Sequence, residues 1–149
     1  VIERLAGVSG LQVVTKKLHL KTSGEGDMLN ITDMVEDAVK QTRLKDGIVT
    51  VFVPGSTGSV TTIEYEPGLR KDFPAMLERI APKDLWYEHE RMWHDGNGHS
   101  HCRASLIGPS LTVPFTDGEL ALGTWQQIVL LEHDVRSRSR EILLQIIGN

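Results

Sequence analysis

Apolar residues along the chain keep two rhythms, and the change from one to the other marks the elements. In LQVVTKKLHLKT (residues 11–22) Val14, Leu18 and Leu20 stand in phase at every second position of a β-branched segment, which predicts a strand ended by SGEGD. From Thr32 the period lengthens. Met34, Val35, Ala38 and Val39 share one helical face, with Thr32 as candidate N-cap, Asp33 and Glu36 in the first turn and Gly47 as the stop.

GIVTVFVP and SVTTIEY are β-branched runs on either side of a glycine-bearing GSTG connection, which predicts two strands and a tight turn. A second helix follows, because Leu69, Phe73, Met76, Leu77 and Ile80 repeat at helical spacing; Pro74 is expected to kink or restart it. Beyond the polar stretch from Pro82 to Asn97, the segments HSHCRASLIG, LTVPF, ELALG, TWQQIVLLEH and REILLQIIG all read as short strands. The last two are almost continuously apolar and are expected to be central and buried on both faces. The class is α+β: a single domain over residues 1–149 with a large mixed or antiparallel β-sheet, or a sandwich, and two covering helices.

Composition narrows the function classes. A chain of 149 residues suits one core, burying roughly 70% of its unfolded surface. A net charge of −4 argues against nucleic-acid binding, which needs basic surface to displace counterions, and VRSRSR (135–140) is too short to reverse that and reads as a solvated turn. No apolar run approaches the roughly 20 residues of a membrane span, and Glu3 and Arg4 interrupt the stretch a secretion leader would need. Cys102 is the only cysteine, so an intrachain disulfide and a cysteine-cluster zinc site are excluded and a reducing, cytoplasmic setting is expected.

The chemistry concentrates between His89 and Ser105. Four histidines, His89, His94, His99 and His101, fall within thirteen residues of a chain that has six. On an extended strand His99 and His101 would face one way, about 7 Å apart, close enough to share a metal. The third ligand would be His94 or His89, with Asp95 and Asn97 as ligands or orienting groups. Arg103 and Ser105 would continue the same face and suit a phosphate or diphosphate bound through arginine and metal. Each also has a plainer reading: Arg103 pairs with a carboxylate, Ser105 caps a turn, and the histidines bond locally on a loop.

Position 103 is arginine, which excludes a nucleotide-hydrolase histidine triad. PGSTGS (54–59) offers backbone N–H groups to an anion but lacks the lysine and spacing of a P-loop, and a hairpin turn is its other reading. Glu64 and Glu66 form either a paired site or a solvated surface. Cys102 is expected to be a small buried residue facing away from the histidines, and Trp125 to begin a core strand or wall a pocket.

VFVPGSTGSVTTIEYEPGL, the block HSHCRASLIGPSLTVPFTDGELALGTWQQIVLLEHD and the final LLQIIGN resemble the YjbQ-like family of small uncharacterised proteins, some described as secondary thiamine-phosphate synthases. The resemblance spans nearly the whole chain. It implies an α+β domain, a homotrimer, and a histidine pocket holding a divalent metal, zinc or magnesium, with a small phosphorylated molecule as partner. His101, which precedes the basic Arg103, matches the most regular histidine of the family pattern, and His89 in YEH matches another. Many members carry a histidine after VFVP where this chain has Gly55; GHSH would then restore the ligand through His99, with His94 as the alternative.

The expected metal set is His89, His99 and His101, with His101 and Arg103 catalytic and Arg103 and Ser105 binding the anion. The expected reaction is transfer of a hydroxymethylpyrimidine group from its diphosphate to a thiazole phosphate. The competing expectation is a non-catalytic metal- or anion-binding trimer with structural histidines.

Overall fold

Residues 10–149 are described by a computed structural model, and the reading of Glu3 and Arg4 lies outside the described residues. Among these residues the order of elements is β1 (Gln12–Lys21), β2 (Met28–Asn30), α1 (Thr32–Thr42), β3 (Gly47–Phe52), β4 (Gly58–Ile63), α2 (Leu69–Ile80), α3 (Glu90–Trp93), α4 (Gly98–Ile107), β5 (Ser110–Thr116), β6 (Glu119–Leu120), β7 (Gln127–Glu132) and β8 (Ser139–Gly148). The class is α+β, and every strand pairing is antiparallel. One sheet runs β1-β8-β3-β5-β6 and the other β2-β7-β4.

Alternation builds the core. Ile142, Leu144 and Ile146 of β8 are fully buried and meet Val49 and Val51 of β3, Val60 of β4, and Ile128 and Leu130 of β7, with Val35 and Val39 of α1 closing the cluster. Each such side chain contributes roughly 1.5–3 kcal/mol by leaving water. The opposite residues of β7, Val129 and Leu131, join Met28 in a second cluster against Phe73 of α2 and Ile107 of α4. That is why β7 is buried on both faces. β8 is not: Leu143, Gln145 and Ile147 stay half-buried, which corrects the expectation of two fully buried strands.

Three more expectations change. β3 and β4 do not form a hairpin; β3 pairs with β5 and β8, β4 pairs with β7, and residues 53–57 carry the chain from one sheet to the other. In α1, Ile31 holds the N-cap position, while the Thr32 hydroxyl is drawn to Asn30 and to the Ile128 amide; Arg43, left-handed at φ 62°, ends the helix before Gly47. α2 runs on through Pro74.

The largest change is at GHSHCRASLI. It is helix α4, not a strand, and brings a third and fourth helix, α3 and α4, beyond the two expected. The segment has no β-branched residue before Ile107, and it follows Asn97 with good helix formers such as Ala104 and Leu106. On a helix, residues two apart diverge by about 200°, so the single-faced row of His99, His101, Arg103 and Ser105 does not exist. His99 and Arg103, four apart, turn inward; His101 lies on another side, and Ser105 and Cys102 are exposed. Among the described residues, no helix is long and apolar enough to cross a membrane.

Candidate functional site

α3 is a single turn between His89 and His94, and the loop after it returns the chain to α4. Glu90 holds this loop, its carboxylate accepting the Gly96 and Gly98 amides at 2.9 and 3.2 Å. Asp95 accepts the Asn97 amide at 3.0 Å. The consequence is that His89, Asp95 and His101, from three positions along the chain, converge with one ligand atom each within 4.8 Å of the others.

Two details orient the trio. His101 Nδ1 lies 3.0 Å from the Ser56 carbonyl and donates to it, which leaves Nε2 free for a ligand role. His89 Nε2 is buried and, although 3.3 Å from Asp95 Oδ1, makes no hydrogen bond with it or any other described residue. The two rings are 4.4 Å apart between centroids. Burial pushes the Asp95 carboxyl up, but the Asn97 contacts and the two imidazoles outweigh it and hold the group below its ordinary value. Two imidazoles, a carboxylate and an orphaned buried ring nitrogen fit a divalent ion. His94, exposed and left-handed at φ 50°, is not part of the trio.

His99 and Arg103 are placed elsewhere. His99 Nε2 lies 2.5 Å from Glu25 Oε1. Arg103 donates to Glu25, to Glu78 at 2.5 Å, and to the Ala81 carbonyl at 3.0 and 2.8 Å through Nε and Nη2. Lys83 reaches the same Glu25 at 2.7 Å. These contacts tie α4 to the end of α2 and to the β1–β2 loop. Arg103 thus takes the plainer of its two readings, as a carboxylate partner. Glu66, off the strand, accepts the Gly68 and Leu69 amides at the start of α2.

A second polar group was not read from the sequence. At the end of β7, Glu132, His133 and Asp134 are all buried, and Arg140 at the start of β8 is 8% exposed, which corrects the solvated reading of VRSRSR at that residue. Arg140 Nε and Nη2 donate to the Glu132 carboxylate at 2.8 and 2.5 Å, and Nη2 also to Thr57 Oγ1 at 2.9 Å. Arg138 Nε and Thr57 Oγ1 donate to Asp134 at 2.8 and 3.0 Å, and Thr22 donates to Glu132 at 2.9 Å. His133 Nε2 lies 2.7 Å from Ser59 Oγ. Burial lowers its pKa to about 4, with the Arg103 and Arg140 charges adding to the effect and Glu132 and Glu25 opposing it. Acids two apart at 132 and 134, answered by arginines two apart at 138 and 140, were the signal available.

A two-sheet α+β fold with a histidine–carboxylate centre at the start of one helix, framed by a buried acid–arginine network, is the class this chain defines. The chain belongs to the YjbQ/UPF0047 family: the sequence pattern described as "UPF0047 protein YjbQ-like" matches residues 16–149. A UPF0047 protein of Archaeoglobus fulgidus is 37% identical over 131 residues, 88% of this chain and 99% of the relative. One from Methanothermobacter thermautotrophicus is 38% identical over 138 residues, 93% of this chain and 94% of its own. The crystal structure of a "YbjQ-like protein of unknown function" from Sulfolobus solfataricus superposes with a TM-score of 0.86 at 31% identity, covering 93% of this chain and 99% of that one.

Proposed function

We propose that His89, Asp95 and His101 bind a divalent metal and that the centre acts on a small phosphorylated molecule. The reading rests on one observation: a buried imidazole nitrogen, His89 Nε2, without a hydrogen-bond partner, beside two further ligand atoms. Two nitrogen donors and one oxygen favour zinc over magnesium, which prefers all-oxygen shells. Three protein ligands leave a fourth position for water or substrate, the mark of a catalytic rather than a structural zinc. A bound ion there would supply Lewis acidity toward phosphate oxygens.

The chain's own groups do the rest. Ser56 holds the His101 ring through Nδ1, Glu90 fixes the loop that presents Asp95, and Asp95 Oδ1 stands 3.3 Å from His89 Nε2 without bonding it. The reaction to test is the one the family resemblance implies: a carbon–nitrogen bond forms from the thiazole nitrogen to the pyrimidine methylene as its carbon–oxygen bond to diphosphate breaks. Zinc titration of chelator-stripped protein, followed by a thiamine-phosphate assay on wild type and His101→Ala, checks it. Equal activity in the two proteins removes His101 from catalysis; zinc binding without any turnover returns the centre to the structural role.

Cytoplasmic location belongs to the same reading and is supported by the single, unpaired Cys102. So does a homotrimer, supported by the outer face of the larger sheet, where Val13, Ile48 and Phe52 are 63%, 41% and 38% exposed. Sedimentation at micromolar concentration tests the assembly, and a monomer there would end that part of the reading.

A further inference from the structure

The connection from β3 to β4 passes over the guanidinium of Arg140. Nε and Nη2 of that group are committed to Glu132 and Thr57, whereas Nη1 has no acceptor among the described residues. Nη1 points at Gly55: a Cβ placed there would sit 2.8 Å from it. On the flank a Cβ at Gly58 would sit 3.3 Å from Arg140 Cζ. Two glycines therefore keep side chains off a guanidinium that the protein has already buried and fixed. The amides of Gly55, Ser56 and Thr57 donate to nothing among the described residues, and Gly55, at φ 131°, lies where an L side chain is strained. The Ser56 carbonyl, on the same segment, is the group that holds His101.

We infer that Arg140 Nη1 and the amides of residues 55–57 form a subsite for a phosphoryl oxyanion, placed beside the His89–Asp95–His101 centre. The carboxylates near it do not oppose this, because Glu132 is paired with Arg140 and Asp134 with Arg138. The anion is held by aimed N–H donors rather than by net charge, as in other backbone anion cradles. This deepens the function proposed above, on which the choice of a phosphorylated molecule rests, but the subsite needs no metal.

The test uses metal-free wild-type protein and inorganic pyrophosphate, with sodium chloride at matched ionic strength as the control. Pyrophosphate is expected to shift the amide resonances of Gly55, Ser56 and Thr57. Gly55→Ala, which covers Nη1, and Arg140→Lys, which removes it, are each expected to weaken pyrophosphate binding about tenfold or more, and Gly55→Ala to keep zinc binding. Wild-type amides at 55–57 that stay unmoved by pyrophosphate, or folded variants that bind it as the wild type does, overturn the inference. Zinc failing to bind while pyrophosphate still moves those amides would end the metal reading and leave this one standing.

Discussion

Nε2 of His99 and Oε1 of Glu25 are 2.5 Å apart, joining the first turn of α4 to the loop between β1 and β2. His99 is 2% exposed, and the pair shares its carboxylate with Arg103 and Lys83. The pairing makes His99 a brace rather than a ligand. His99→Ala should cost about 2–3 kcal/mol of stability, because it leaves a largely buried carboxylate short of a partner. Urea unfolding reads the loss, and zinc titration should show an affinity within about threefold of wild type. A drop as deep as that of His101→Ala would put His99 back among the ligands.

Acid should unfold the protein earlier than its carboxylates alone would. His133 binds its proton near pH 4 in the folded chain and near its ordinary value of 6.5 when unfolded, so between these limits the unfolded state takes up more protons. Stability contributed by the neutral ring is complete above about pH 6.5 and falls by about 3 kcal/mol as pH drops to about 4. Glu25 adds to this further down. Burial pushes its carboxyl up, but Lys83 and His99 outweigh that and hold it below its ordinary value, so its contribution is lost as pH falls through the folded pKa. Urea midpoints measured from pH 4 to 8 should slope below pH 6.5; a flat profile between pH 5 and 7 would contradict the burial of a neutral His133.

Glu132 and Arg140 are the most buried ion pair among the described residues. Glu132→Ala strands a buried guanidinium and should cost about 3–5 kcal/mol. Arg140→Ala should cost a similar amount, and the double variant less than the sum of the two, since the second change removes the charge the first left alone. Additive losses in denaturant midpoints would show that the pair is not coupled.

At Gly98 a Cβ would meet the Tyr87 side chain at 2.3 Å, and Tyr87 is anchored through its hydroxyl to the Pro82 carbonyl at 2.8 Å. Gly98→Ala must displace Tyr87, and His89 lies two residues further on. A stability loss of about 1–3 kcal/mol is expected, with zinc affinity falling about tenfold as His89 shifts. Unchanged zinc affinity in a destabilised variant would confine Tyr87 to packing.

Strands were legible where β-branched residues alternated, as in β1, β3 and β8, because burial of one face leaves a period of two in the sequence. The helix at α4 was not, since GHSHCRASLI has no clean apolar stripe: its inward face carries His99 and Arg103, whose burial depends on Glu25, more than seventy residues earlier. The same dependence hid the centre. His89 and His101 could be singled out as histidines, but Asp95 replaces His99 beside them only because the chain is helical after Asn97. Glu132 and Arg140 sit on strands of different sheets, so the spacing of acids at 132 and 134 and arginines at 138 and 140 hinted at pairing, while the burial of the pair came from the meeting of the two sheets.

β8 lies between β1 and β3, pairing residues 12–21 with 139–148 on one side and 47–52 on the other. The middle of the larger sheet is thus made from residues far apart in sequence: β3 can pair with β5 first, but β1 and the other edge of β3 have no partner until β8 arrives. Closing such long loops before any pairing rewards them slows folding toward the millisecond-to-second range. During synthesis on the ribosome, β1 and the edge of β3 away from β5 must wait open until residues 139–148 emerge. That interval, rather than the finished fold, is when the chain is most exposed to strand pairing between neighbouring copies.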